Sequence, residues 1–507
     1  MKRFVSLILA ILLVLSLSYG MTAFAEEPVT LTMFVDETWW RYTTWEGKIP
    51  EMVTEFTGVK IEPTVAVDGN QLALMVASGD LPDLVCSYQY SRLSDDSICY
   101  SYNELIEQYE PDWVVDPATA YVNSVPGSDG KFYVIKNDFA SPAQWAASPL
   151  SVHQGCGVAF RQDILDDLGI TVDDIDSLEK MEEIFDQVLE KYNGEITPLV
   201  TAAGRAFGWL KIQEYCHSDT WFEDDEGNAR FFISDPNLYK WFKLVNKWYR
   251  AGYWKAEDVA ADNYEDLILN GKCFCYMNYD NSADAINATL QSAGLDYYYK
   301  AKVEWVTEEA TLVDYRIGWR GLFITRNCKD PAAAIHFCRY CYSPEGQKLL
   351  LWGEEGVDWE NTEEGYPVYL TWSPTDPESI SAIGVRYWGW MTCDNIINGL
   401  GYGVGYEQAM AVKRYITDHT DRRVYLGMLN PPVDSDQAAI ADRLNELYNS
   451  NWLKISSAES EEQMDEYYNS FISQAEAIGM LEIEEWANTL YPDIKAGYEA
   501  VTGEKLD

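Results

Sequence analysis

The chain has 507 residues, with 37 basic against 82 acidic side chains and a formal charge of −45 at pH 7; 47% of its residues are apolar. That length exceeds what one hydrophobic core supports and points to two lobes or more. So negative a field repels nucleic acid and anionic lipid, which argues against both as partners and keeps the surface well solvated.

At the start of the chain, Lys2 and Arg3 precede an apolar run from Phe4 to Leu17, then Ala23-Phe24-Ala25 ahead of Glu26. This order is that of a secretory signal peptide at residues 1–25. Its apolar run falls short of the about 20 residues that a membrane span needs. No cysteine precedes Cys86, and Met21 stands where a lipobox cysteine is expected. The expectation is an exported, soluble protein that either diffuses in a periplasm or is held at the outer face of the membrane in another way, for instance by an uncleaved signal acting as a weak anchor.

Val29 to Val35 reads as a first strand and Ile49 to Phe56 as a helix closed by Gly58. Val59 to Pro63 reads as a second strand, Gln71 to Ala77 as a helix ended by Gly79, and Leu84 to Ser87 as a short third strand. A β-α-β-α-β opening is the start of a parallel, doubly wound sheet. Further on, Asp224-Asp225-Glu226-Gly227-Asn228 carries turn chemistry between Trp221-Phe222 and Phe231-Phe232-Ile233. A solvated hairpin fits it better than a calcium loop.

Ser234-Asp235-Pro236 opens a helix with Leu238, Trp241, Phe242, Val245, Trp248 and Tyr249 on one face, and Gly252 ends it. Asp330-Pro331 and Ser343-Pro344-Glu345 repeat the cap-then-proline grammar. The last third is mainly helical, so the fold class is α/β lobes with a helical C-terminal third.

Ten cysteines in an exported chain permit disulfides, but the close pairs argue against them. Cys338 and Cys341, at i and i+3 on a helix, have Cβ atoms about 5–6 Å apart, beyond the about 4 Å a disulfide takes. Most of the cysteines therefore read as buried thiols. No nucleophile elbow, phosphate loop or zinc-protease helix is present. His336 and Cys338 lie about 200° apart on their helix and do not converge on one ion. No catalytic residue, metal or cofactor is expected.

Several segments carry a family resemblance. Ala77-Ser78-Gly79-Asp80-Leu81-Pro82-Asp83-Leu84-Val85 resembles the helix-to-strand junction of family-one extracellular solute-binding proteins. Asp129-Gly130-Lys131-Phe132-Tyr133-Val134-Ile135 and Phe160-Arg161-Gln162-Asp163 through Gly169-Ile170 resemble the segments on either side of that family's first crossover. Asn270-Gly271-Lys272 through Met277, Asp330-Pro331-Ala332-Ala333-Ala334 through Gly346, and Gly353 through Trp359 follow in the family's order. The last is similar to its oligosaccharide-associated lipoprotein branch.

The resemblance implies a two-lobed, periplasmic-binding-protein-like fold of type II. Each lobe is then a mainly parallel sheet flanked by helices, and ligand is held in the cleft between them. Lobe one is expected at 26–147 plus 283–341, and lobe two at 148–282 plus 342–507. The implied partners are a small carbohydrate and the permease subunits of an ABC importer, with the protein itself a monomer.

The residues add an aromatic signal, with 19 Trp and 35 Tyr. Flat indole rings match the C–H faces of a pyranose, while polar side chains satisfy its hydroxyl rim. Ligands bind outside the carboxyl ends of strands. This singles out Trp39 and Trp40 after the first strand, Tyr88 and Gln89 after the third, and Trp319 and Arg320 before Leu322-Phe323-Ile324. Tyr279 and Asn281 lie at the second crossover, and Trp388 and Trp390 are a candidate lobe-two platform. The negative charge favours a neutral ligand, with Arg320 the main exception. A carbohydrate-active enzyme using paired acids and a glycan-binding surface or sensor protein are the alternative readings.

Overall fold

The computed structural model describes residues 27–125, 128, 130–202, 207–211, 216, 220–306, 312–374, 376–432 and 435–506. The signal-peptide segment lies outside the described residues. No described helix is long and apolar enough to cross a membrane.

The opening folds as its pattern predicts. Strands β1 (Val29–Val35), β2 (Val59–Val65) and β3 (Leu84–Ser87) are joined by helices α1 (Lys48–Thr57) and α2 (Gln71–Ser78). Both pairings are parallel, with β1 in the middle. Ile49 and Val53 of α1 and Leu72 of α2 are buried against the sheet. Each fully buried aliphatic side chain of this kind contributes roughly 1.5–3 kcal/mol.

The second sheet is built from β4 (Cys156–Arg161), β5 (Thr197–Thr201), β8 (Cys273–Tyr279) and β9 (Tyr299–Lys302), in the order β5-β8-β4-β9. Between them lies the predicted hairpin, β6 (Trp221–Glu223) with β7 (Ala229–Phe231). Asp224 Oδ1 closes its turn by accepting from the backbone N–H of Glu226 at 3.0 Å and of Asn228 at 2.9 Å. After β10 (Leu312–Asp314) the chain returns to the first sheet as β11 (Gly321–Ile324), antiparallel to β3.

One expectation is overturned. The second sheet is not mainly parallel: only β5 and β8 run parallel, while β4 pairs antiparallel with both β8 and β9. The cause is topological. β4 carries the chain away from the crossover and β8 brings it back to the same end, so the two must run in opposite directions.

The packing also bears on the expected lobe boundaries. β9 is built into the second sheet, although a return to lobe one at residue 283 was expected. Conversely, Leu349, Leu350, Trp372, Ile380, Val385, Trp388 and Met391 pack into the first core. Three helices further along the chain matter for the packing: α3 (Pro236–Arg250), α4 (Pro331–Tyr342) and α5 (Pro344–Trp352). The capping residues Asp235, Asp330 and Ser343 accept the backbone N–H groups that their sequence predicts. Lys48 of α1 reaches Asp358 at 2.8 Å and ties the segment after α5 to the first core.

The larger core takes α3 together with the C-terminal helices α6 (Asp436–Ser456), α7 (Glu461–Ile478) and α8 (Met480–Thr502). Of the predicted apolar face of α3, Leu238, Trp241, Phe242, Val245 and Trp248 are buried. All ten cysteines are buried thiols outside any disulfide.

Candidate ligand-binding cleft

β1 and β8 end, and β4 and β11 begin, around one cavity of about 810 Å³. Volumes of this order hold small-molecule ligands. The first-sheet side supplies Trp39, Arg41, Trp319, Tyr387 and Trp390. The second-sheet side supplies Gln154, Gly155, Tyr279, Asp280 and Asn281, and Arg386, Tyr402 and Tyr406 add to the polar lining.

Among the expected site residues, Trp39, Trp319, Trp390, Tyr279 and Asn281 line this cavity. Trp39 remains 46% exposed and Trp319 37% exposed, so large indole surfaces stay open to a ligand. Their rings stack with centroids 6.2 Å apart and planes 26° apart, and Trp390 meets Trp39 at 6.4 Å.

A buried asparagine holds two of the three loops. Asn137 Oδ1 accepts the N–H of Trp319 at 3.2 Å and of Arg320 at 3.0 Å, and its Nδ2 donates to the carbonyl of Trp390 at 2.5 Å. Gly318 makes this approach possible. A Cβ at that position falls 2.2 Å from the Asn137 carbonyl oxygen, and its φ of +106° suits only glycine.

The other expected residues fall behind the wall or beside it. Trp40 is buried, packed edge-on to Tyr387 and 5.8 Å from the ring of Trp388. Trp388 is fully buried in the first core beside Trp45, so it is neither in the cleft nor part of a lobe-two platform. It sits two residues from Trp390 across the tight turn Gly389–Met391, and the two rings face different surroundings.

Arg320 is 1% exposed and is ion-paired with Glu37, its guanidinium lying over the rings of Trp39, Trp40 and Trp319. It braces the aromatic wall from behind. Gln89 spends its Nε2 on Asp36 Oδ2 at 2.8 Å, and Tyr88 stands in solvent outside the cavity.

The ionised side chains of the cleft were not singled out in the sequence. Arg316 Nε donates to Asp314 Oδ1 at 2.7 Å. Burial pushes the Asp314 carboxyl up, but Arg316 and His153 outweigh it and hold the group well below the ordinary carboxylate range. Lys413, itself buried, pairs with Asp280 Oδ1 at 2.6 Å, and Asp280 Oδ2 accepts the N–H of Gly155 at 2.5 Å. Asp138 lines the cavity in a left-handed backbone conformation, φ 57°, and burial raises its carboxyl. With 82 acids in the chain, nothing in the sequence marks these few as convergent.

The sequence profile of the bacterial extracellular solute-binding protein family matches residues 51–352. No curated protein sequence matches the chain. Among solved structures, the alginate-binding protein AlgQ2 is similar at 16% identity and a TM-score of 0.64, over 92% of this chain and 98% of that one. The N-glycan transport solute-binding protein NgtS of Streptococcus pneumoniae is similar at 16% identity and a TM-score of 0.59, over 94% and 100%. The ABC-transporter substrate-binding protein FusA of S. pneumoniae is similar at 14% identity and a TM-score of 0.63, over 92% and 99%. At these identities the likeness establishes a two-lobed solute-binding fold. With the profile covering more than half of its length, the chain belongs to the bacterial extracellular solute-binding protein family.

Proposed function

We propose that this protein captures a carbohydrate in the cleft between its sheets and delivers it, chemically unchanged, to the permease subunits of an ABC importer. The observation that carries this reading is the open wall of Trp39, Trp319 and Trp390 facing polar groups across the cavity. Indole faces take the apolar faces of sugar rings, and the polar side takes their hydroxyls. Two of the cleft carboxylates, Asp280 and Asp314, are committed to ion pairs, which suits binding better than proton transfer. The solved neighbours bear names of carbohydrate binders, for alginate, N-glycans and kestose among them.

On this reading, the first sheet with residues 325–374 and 376–391 forms one lobe and the second sheet with residues 407–432 and 435–506 the other, with the segments between them crossing the hinge. Export through the signal peptide places the protein where such ligands occur, working as a monomer. A thermal-shift screen against a glycan library, with each stabilising glycan recovered and analysed by mass spectrometry, tests the reading. Stabilisation by an intact glycan is the expected result, and shortened glycans would turn the assignment to an enzyme.

A further inference from the structure

The cavity's charges do not balance as the chain's overall charge suggests. Arg316 is matched by Asp314, and Asp280 by Lys413. Arg320, the cation marked in the sequence, is matched by Glu37 and sealed behind the wall. Two arginines in the lining, Arg386 and Arg41, have no carboxylate within ion-pair reach among the described residues. Against them stands one carboxylate outside any ion pair, Asp138. Inside a protein of formal charge −45, the cleft therefore holds a local excess of positive charge.

Arg386 is the better built of the two. Its backbone is left-handed at φ 74°, unusual for an arginine, and the turn is pinned by its N–H to Leu350 O at 2.7 Å and by its carbonyl accepting from Trp390 N at 3.0 Å. Backbone strain of this kind concentrates at ligand sites. Its Nη1 donates to Pro374 O at 2.8 Å and approaches Tyr406 Oη at 3.5 Å. That fixes one side of the guanidinium plane.

The other edge, Nε with Nη2, has no protein partner among the described residues and is not sealed from solvent. Two parallel N–H groups on one edge are the donor pair that a carboxylate accepts in bidentate fashion.

We propose that Arg386 is an anion subsite of the cleft and that the captured carbohydrate is acidic, bearing a carboxylate of the uronic-acid type that docks on the Nε–Nη2 edge. The proposal rests on the carbohydrate reading above and narrows it. It reverses the neutral ligand expected from net charge, because the field at the site is set by the nearest unpaired groups rather than by distant, screened acids.

Calorimetric titration of the exported protein with oligogalacturonates and with neutral galactose oligomers, beside a wider panel of acidic and neutral glycans, tests it. Arg386→Asn is the informative variant, since asparagine tolerates the left-handed backbone and leaves the fold intact. Thermal melts check that it does. The parent should prefer acidic glycans, and the variant should lose roughly 10- to 100-fold on these with little change on neutral ones.

An equal loss on both classes, or binding of neutral glycans alone, overturns the subsite and leaves carbohydrate capture standing. Binding of neither class overturns both.

Discussion

Trp39 and Trp319 come from opposite ends of the first sheet's sequence, one just after β1 and the other just before β11, yet their rings stack at 6.2 Å with a 26° angle between planes. The pairing follows from the sheet order, which places β3 alone between β1 and β11. The guanidinium of Arg320 sits 3.8 Å from the Trp319 ring and 5.2 Å from the Trp39 ring, holding both from the core side.

Trp39 and Trp40 should respond differently to removal. Trp39→Ala takes away an open face and should weaken ligand binding by about 2 kcal/mol, roughly thirtyfold, with little effect on melting. Trp40→Ala empties a core position and should cost about 3–5 kcal/mol of stability. Calorimetry and thermal melts of both variants separate the effects; if both bind like the parent, the wall is not the ligand platform.

Asn137 should behave as a positioning residue for the wall. Asn137→Ala strands the N–H groups of Trp319 and Arg320 and the carbonyl of Trp390, each unmet buried group costing about 1–3 kcal/mol. Both the melting temperature and the affinity should fall. A variant that melts lower but binds as the parent does would show that the loops keep their places without it.

Much of this architecture is legible in the sequence because it is local. β1 and β3 span the residues read as strands, and capping signals at Asp235, Asp330 and Ser343 mark true helix starts. What is not legible is long-range. Hydrophobic periodicity says that Trp388 lies among apolar neighbours but not which core it joins, and its placement depends on α5 packing against α1. The direction of β4 follows from where the chain crosses between sheets, which no local pattern encodes. The convergence of Asp138 with Asp280 and Asp314, which follow it by more than a hundred residues, has no sequence signature, whereas Trp39, Trp319 and Tyr279 stand out because strand ends are visible.

His153 should make the protein sensitive to acid. Its ring is buried and stacked on Trp145 at 4.2 Å; Nε2 accepts from Arg422 at 2.7 Å, while Nδ1 lies 3.2 Å from Asp314 but poorly aligned with it. Burial lowers its pKa below the ordinary 6.5, with Asp314 opposing. Below about pH 6.5 the unfolded chain takes up a proton that the folded one refuses, so stability falls with pH by up to about 1.4 kcal/mol per unit until the folded pKa is reached.

Asp394, pushed up to about 6 by burial, works the other way over part of this range, so the difference between parent and His153→Gln is the quantity to follow. From about pH 7.5 to about pH 5 the parent should lose stability faster than the variant. Parallel curves would contradict a buried, neutral His153.

Binding should close the two lobes, because a solute between the Trp39 wall and the Tyr279 side touches both only when they approach. Small-angle scattering should give a smaller radius of gyration at saturating glycan. An unchanged curve would count against hinged capture.

The most direct measurement is a crystal structure of the protein with the glycan that stabilises it most in the thermal-shift screen. A sugar ring should lie flat against Trp39 or Trp319, its hydroxyls reaching the Tyr279 and Asn281 side and its chain intact. A glycan bound elsewhere, with no sugar between the two sheets, would contradict it.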